Sequence, residues 1–159
     1  NGEKCFYFSE LFLECRAPLS QKSKLDIVTR AVDQVAKKYY GDEDAQKKMK
    51  IKDIICNELE EQGEIKVSEL REKVFPGSPE MLEELDEKLD RYNLSYETVA
   101  PKNEQTIKKF QKQKLYTDTG IEITIPMEEY RNPDHVEFIT NMDGTISVLI
   151  KNIGMLSSK

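Results

Sequence analysis

Residues able to do covalent chemistry are sparse in this chain. It contains one histidine, His135, and three cysteines, Cys5, Cys15 and Cys56. A metal site built on two histidines is therefore excluded, and a Cys-His nucleophile pair would need His135 to meet a cysteine from an apolar, core-like setting. The cysteine separations fit neither a CxxC metal knuckle nor the framework of a disulfide-dense secreted domain. They point to free thiols in a reduced, cytoplasmic protein. His135 follows "NPD", a turn signal, which predicts a surface position where a strand begins. No GxGxxG, no glycine-rich loop ending in GK[ST], no HExxH and no GxSxG occurs, so neither a cofactor nor a metal is expected.

Carboxylates are abundant. Glu83 with Glu84, or Asp86 with Asp90, have the residue types of an acid and base couple, but they lie in "PEMLEELDEKLDRYN", where a solvated acidic helix face accounts for them. "NMDGT" lacks the ligand spacing and terminal glutamate of a calcium loop and reads as a turn. "PKNEQTIKKFQKQKLYTDTG" carries Lys102, Lys108, Lys109, Lys112 and Lys114 with Phe110 and Tyr116 interleaved. Lysines without arginine attract phosphate without reading bases, so these five are the candidate nucleic-acid contacts. The competing reading is a solvent face on a connecting helix, with Ile107 and Phe110 turned inward.

The elements that hold these residues follow from periodicity. "CFYFSELFLECRAPLS" belongs in a core, as strand or short helix. Ser20 predicts the cap of a helix whose Leu25, Val28, Ala31, Val32, Val35, Ala36 and Tyr39 recur at helical spacing, and Gly41 its stop. A second helix is expected from about Asp42, with acids in its first turn, Met49, Ile51, Ile54, Ile55 and Leu59 inward, and Gly63 at its end. A short helix capped by Ser68 and broken at Pro76 and Gly77 precedes one capped by Ser78 with Pro79 first, burying Met81, Leu82, Leu85 and Leu89. Residues 80–91 are too acidic for a helix that enters the major groove, which argues against a winged helix.

After about residue 94 the pattern changes to β. "GIEITIP" alternates Ile121, Ile123 and Ile125 against Glu122 and Thr124. Strands at about 136–140 and 145–151 are joined through "NMDG", with Asn141 opening a type I turn and Gly144 in the left-handed position of a bulged hairpin. Val136, Phe138, Ile146, Val148 and Ile150 are expected to face the core. Ile139 and Leu149 fall on the other face and are the candidate interface, for a symmetric dimer or for sequence outside this chain; a bulge-induced twist that turns them back toward the core is the alternative.

The expected fold is α+β, a helical, bundle-like region packed with a small antiparallel sheet that ends in a C-terminal β-hairpin. Residues 1–94 form its helical part, 95–120 a lysine-rich connector and 121–159 a small β part. A length of 159 residues with 38% apolar composition suits one domain. The chain starts without methionine, directly before an aromatic cluster, as expected of a piece of a longer polypeptide. It has no apolar run long enough to span a membrane, and no membrane partner is expected. The formal net charge of −6 means that DNA contact must come from a local basic patch.

"FYFSELFLEC", "SQKSKLDIVTRAVDQVAKKYY" and above all "KLYTDTGIEITIPMEEYRNPDHVEFITNMDGTISVLIKNI" together resemble the C-terminal region of the bacterial nucleoid-associated NdpA-type, YejK-like proteins. The resemblance spans nearly the whole chain and is most specific over residues 114–153. It implies a non-enzymatic protein of the cytoplasmic nucleoid, with DNA and other chromosome-associated proteins as partners. It carries no catalytic residues. The alternative is a protein-interaction or dimerisation module whose DNA-binding part lies in N-terminal sequence outside this chain. An uncharacterised hydrolase or nuclease is the weakest reading, because spacing assembles neither a metal cluster nor a nucleophile with a base.

Overall fold

Ser20 starts the first helix as its sequence position predicts. In the computed structural model of the protein, which describes residues 18–41 and 44–159, the Ser20 hydroxyl accepts a hydrogen bond from the Ser23 backbone N–H at 3.1 Å. That satisfies one of the donors every helix start leaves open. Helix α1 then runs Gln21–Tyr40 and buries Leu25, Val28, Ala31, Val32, Val35 and Ala36, whereas Tyr39, the last of the expected apolar series, is 40% exposed. Gly41 ends it at φ +78°, donating to the Lys37 carbonyl. The aromatic opening up to residue 17 lies outside the described residues.

Helix α2 spans Ala45–Gln62 and is capped by Asp44, whose carboxylate accepts from Lys47 N–H at 3.2 Å. Its first turn holds no acid: Asp44 stands before the helix as its cap, and Asp42 and Glu43 lie outside the described residues. Met49, Ile51, Ile55, Cys56 and Leu59 are buried and Ile54 packs against them. Strand β1, Ile65–Lys66, leads directly into α3, Val67–Val74, and α4 follows at Pro79–Asp90.

Two expected caps differ. Ser68 lies inside α3, which begins one residue earlier because the Val67 N–H is already taken by the Glu97 carbonyl at 3.0 Å beside the β1 pairing. Ser78 occupies the cap position of α4 without a side-chain bond, leaving Pro79 to fix the start. Strand β2, Thr98–Val99, pairs with β1 in antiparallel register, Ile65 opposite Val99. Phe75, Leu70, Leu85, Leu89, Leu94, Ile65 and Val99 join the α1 and α2 side chains in one core. Full burial of each such side chain stabilises by roughly 1.5–3 kcal/mol against chain entropy of similar total size.

Short elements complete the chain: α5 (Glu104–Lys108), β3 (Lys112–Tyr116), β4 (Glu122–Pro126), α6 (Met127–Tyr130), β5 (Val136–Thr140) and β6 (Ile146–Ile150). The fold is α+β, and its antiparallel component consists of three separate two-stranded sheets, β1 with β2, β3 with β4 and β5 with β6. The last hairpin turns as expected: Gly144 has φ +88° and donates to Asn141 O at 3.0 Å, and Asn141 N–H bonds Thr145 O at 2.8 Å.

The faces of that hairpin depart from expectation. Val136 is buried and Phe138 and Val148 are half-buried, yet Ile146 and Ile150 remain 46% and 52% exposed. The hairpin meets the body along β5, through Val136 at its base, the Tyr130 ring against Phe138 at 5.9 Å, and a Gln46 to Thr140 hydrogen bond of 3.2 Å beside the turn. It is β6 that the helices expected to cover it leave open, at Ile146 beside the turn and at Ile150 opposite Val136 alike. Ile139 and Leu149, on the opposite face, are 37% and 44% exposed.

Candidate nucleic-acid interface

The five lysines are carried by two kinds of backbone. Lys102 precedes α5; Lys108 and Lys109 close it; Lys112 and Lys114 stand on β3. Asn103 caps α5 by accepting from Gln105 N–H at 2.8 Å. Ile107 and Phe110 turn inward against the core, as the solvent-face reading expects, but from residue 112 the segment is a strand rather than a helix. Alternation along β3 places Lys112, Lys114 and the exposed Tyr116 on one face and buries Gln113 on the other. Their cross-strand partners on β4 are Pro126, Thr124 and Glu122.

Gln113 fixes where that face points. Its side chain is 2% exposed, and Nε2 donates to the Met49 carbonyl of α2 at 2.8 Å. A second tie lies beside it: Arg131, just after α6, reaches Asp53 at 2.5 Å and Glu60 at 3.1 Å on α2. Lys102, Lys108, Lys109, Lys112 and Lys114 are all exposed, and none makes an ion pair with a carboxylate among the described residues. Lys52 of α2, absent from the sequence-based candidates, lies near Lys114. Burial first and Lys114 second hold its ammonium below the usual lysine range, with Asp33 and Cys56 acting the other way.

Of the residues considered for acid, base or nucleophile roles, Glu84, Asp86 and Asp90 each bond a partner elsewhere in the fold. Glu84 bonds Lys38 at 2.8 Å, which holds its carboxyl below the usual range, and Asp86 takes a bidentate contact from Arg71 at 2.8 and 2.6 Å. Asp90 accepts from the Ser95 hydroxyl. These carboxylates tie helices and loops together. His135 lies immediately before β5, with Nδ1 2.5 Å from Glu129 Oε2, beside a cleft of about 260 Å³ between β4 and the end of β6 that has no cysteine in its lining. Cys56 is buried in α2, whereas Cys5 and Cys15 lie outside the described residues. Among the described residues no cluster of His, Cys, Asp and Glu could hold a metal, and no helix is long and apolar enough to cross a membrane.

Comparison with curated proteins and with solved structures returns no match. The sequence matches the family described as nucleoid-associated protein YejK over residues 1–155, essentially the whole chain, and the protein belongs to that nucleoid-associated family.

Proposed function

We propose that the protein is a non-enzymatic DNA-binding module of the cytoplasmic nucleoid, which holds DNA through Lys102, Lys108, Lys109, Lys112 and Lys114 without regard to base sequence. The observation that carries this reading is the exposure of all five lysines without an ion-pair partner among the described residues. Five ammonium groups in one short segment form a local positive field within a chain of net charge −6. Because each lysine–phosphate contact releases condensed counterions from the duplex, affinity should fall as salt rises. Lysines act as point charges on phosphate, whereas base readout uses bidentate donors such as arginine.

The test replaces Lys108, Lys109, Lys112 and Lys114 with Glu and titrates duplexes of unrelated sequence at low and moderate salt. Affinity should drop on every duplex alike while the circular dichroism spectrum stays that of the parent. Unchanged affinity in the folded variant would overturn the reading. A second reading, an interaction or dimerisation module, is favoured by the exposed Ile139 and Leu149. It makes a second copy or another chromosome-associated protein the partner.

A further inference from the structure

Helix α2 carries its charges in the order its own dipole disfavours. Lys47, Lys48, Lys50 and Lys52 lie in its N-terminal half, and Glu58, Glu60 and Glu61 near its C-terminus; cations favour the C-terminal end and anions the N-terminal end. Other elements answer the acids. Arg131 reaches Asp53 and Glu60 and Lys73 pairs with Glu58, while Glu61 accepts from the Asn57 amide of α2 itself. On the basic half Lys47 pairs with Asp44 at 3.5 Å, but Lys52 has no carboxylate within ion-pair distance among the described residues.

Strand β3 brings a further positive charge to that point. The Gln113 bond to Met49 O lays β3 against α2 within one turn of Lys52, and the alternation of the strand turns Lys114 outward beside it. Lys48 stands one turn before Lys52 on the same flank, a like-charge spacing that weakens a helix. Asp33 of α1 faces both Lys48 and Lys52, and loss of hydration raises its own carboxyl pKa against their influence. A hindered Asp33 is a poor counterweight to Lys52 with Lys114 beside it, and the arrangement favours an anion from outside.

We propose that Lys52 and Lys114 together seat one backbone phosphate of duplex DNA across the seam between α2 and β3. This rests on the DNA-binding reading and adds Lys52, on a different element, to its surface. A phosphate between the two ammonium groups turns their repulsion into two attractions, so the contact is stronger than at an isolated lysine. Nothing in it selects a base.

The experiment measures binding of a duplex across a salt series for the parent, Lys52→Gln, Lys114→Gln, the double variant, Lys52→Arg and a charge control, Lys22→Gln at the start of α1. Lys52→Gln should weaken binding about threefold or more at low salt and reduce the log–log salt slope by about 0.9 relative to the parent. The double variant should lose less than the product of the single losses, because both side chains hold the same phosphate. Lys52→Arg should bind like the parent. Lys52→Met, which keeps the aliphatic stem, replaces Lys52→Gln if the latter fails to fold. Binding by Lys52→Gln equal to that of Lys22→Gln, alongside weakened Lys114→Gln, would overturn this proposal and leave the broader reading standing. Losses that simply multiply would overturn the shared phosphate. A parent that binds no duplex at low salt would overturn both.

Discussion

Cys56 shows how one residue's surroundings decide its chemistry. It is 1% exposed on α2, and burial first, then the neighbouring Glu60, push its thiol from 9.0 up to about 11, with Arg131 opposing. The thiolate is the reactive form, so alkylation in the folded protein at neutral pH should be slow. The same shift sets a pH dependence. Between about pH 9 and 11 the unfolded chain releases this proton while the folded chain keeps it, so the contribution to stability is present below pH 9 and lost as pH rises through the folded value. The loss is on the order of 2 kcal/mol. Lys52 works in the opposite sense, since a lysine held below its usual range makes folding more favourable as pH rises toward that range. Urea unfolding of parent and Cys56→Ala should isolate the thiol: the parent's advantage shrinks from pH 8.5 to 11. A constant difference across that range would contradict the shifted thiol. At this scale the sequence was only partly informative. The five lysines were visible as a run, whereas Lys52 sits in "KKMKIKDIIC", a stretch that reads as ordinary helix until β3 is placed against it.

At the scale of elements, caps and periodicity located α1 and the burial of α4, because a helix that packs on one side repeats its apolar residues in sequence. Strand β3 was hidden for a physical reason. Its inward positions are Gln113 and Leu115, and a buried glutamine satisfied by a helix carbonyl looks polar in sequence although it packs like core. Ser68 misled because side-chain capping is one solution among several, and here Glu97, just before β2, supplies the carbonyl. Arg131 ties the C-terminal elements to α2 through two carboxylates and had no local signature at all, since its partners lie 78 and 71 residues away. Arg131→Met would leave Asp53 and Glu60 facing each other without their cation. It should destabilise the protein by about 1–2 kcal/mol after allowance for partial solvent screening. The midpoint of urea unfolding reads this, and pairing the change with Asp53→Asn should recover part of the loss. A midpoint equal to the parent's would mean that the C-terminal elements are held by Gln113 and apolar packing alone.

At the scale of the whole molecule, the helical half encloses a continuous core while the C-terminal half spreads into hairpins with open faces. A lone two-stranded hairpin is marginal in water, and β5 with β6 draws support from the body through β5, at Val136, Phe138 and Thr140. Alternation in the sequence assigned residues to faces correctly but could not reveal that neither face would be covered along its length. The two faces differ in chemistry. One carries Ile139 and Leu149 among Glu137, Ser147 and Lys151, the last paired with Glu137 at 3.0 Å; the other carries Phe138, Val148, Ile146 and Ile150. Apolar side chains left in water are where a second copy gains most, each contributing roughly 1.5–3 kcal/mol if fully buried. On the interface reading, Leu149→Glu should convert a dimer to a monomer in sedimentation velocity without loss of helical circular dichroism, because the leucine is already 44% exposed and makes little of the core. Ile146→Glu serves as the comparison from the opposite face. Dissociation by Ile146→Glu alone would move the interface to the other side of the hairpin. A Leu149→Glu variant that stays folded and dimeric would remove Leu149 from any interface between copies.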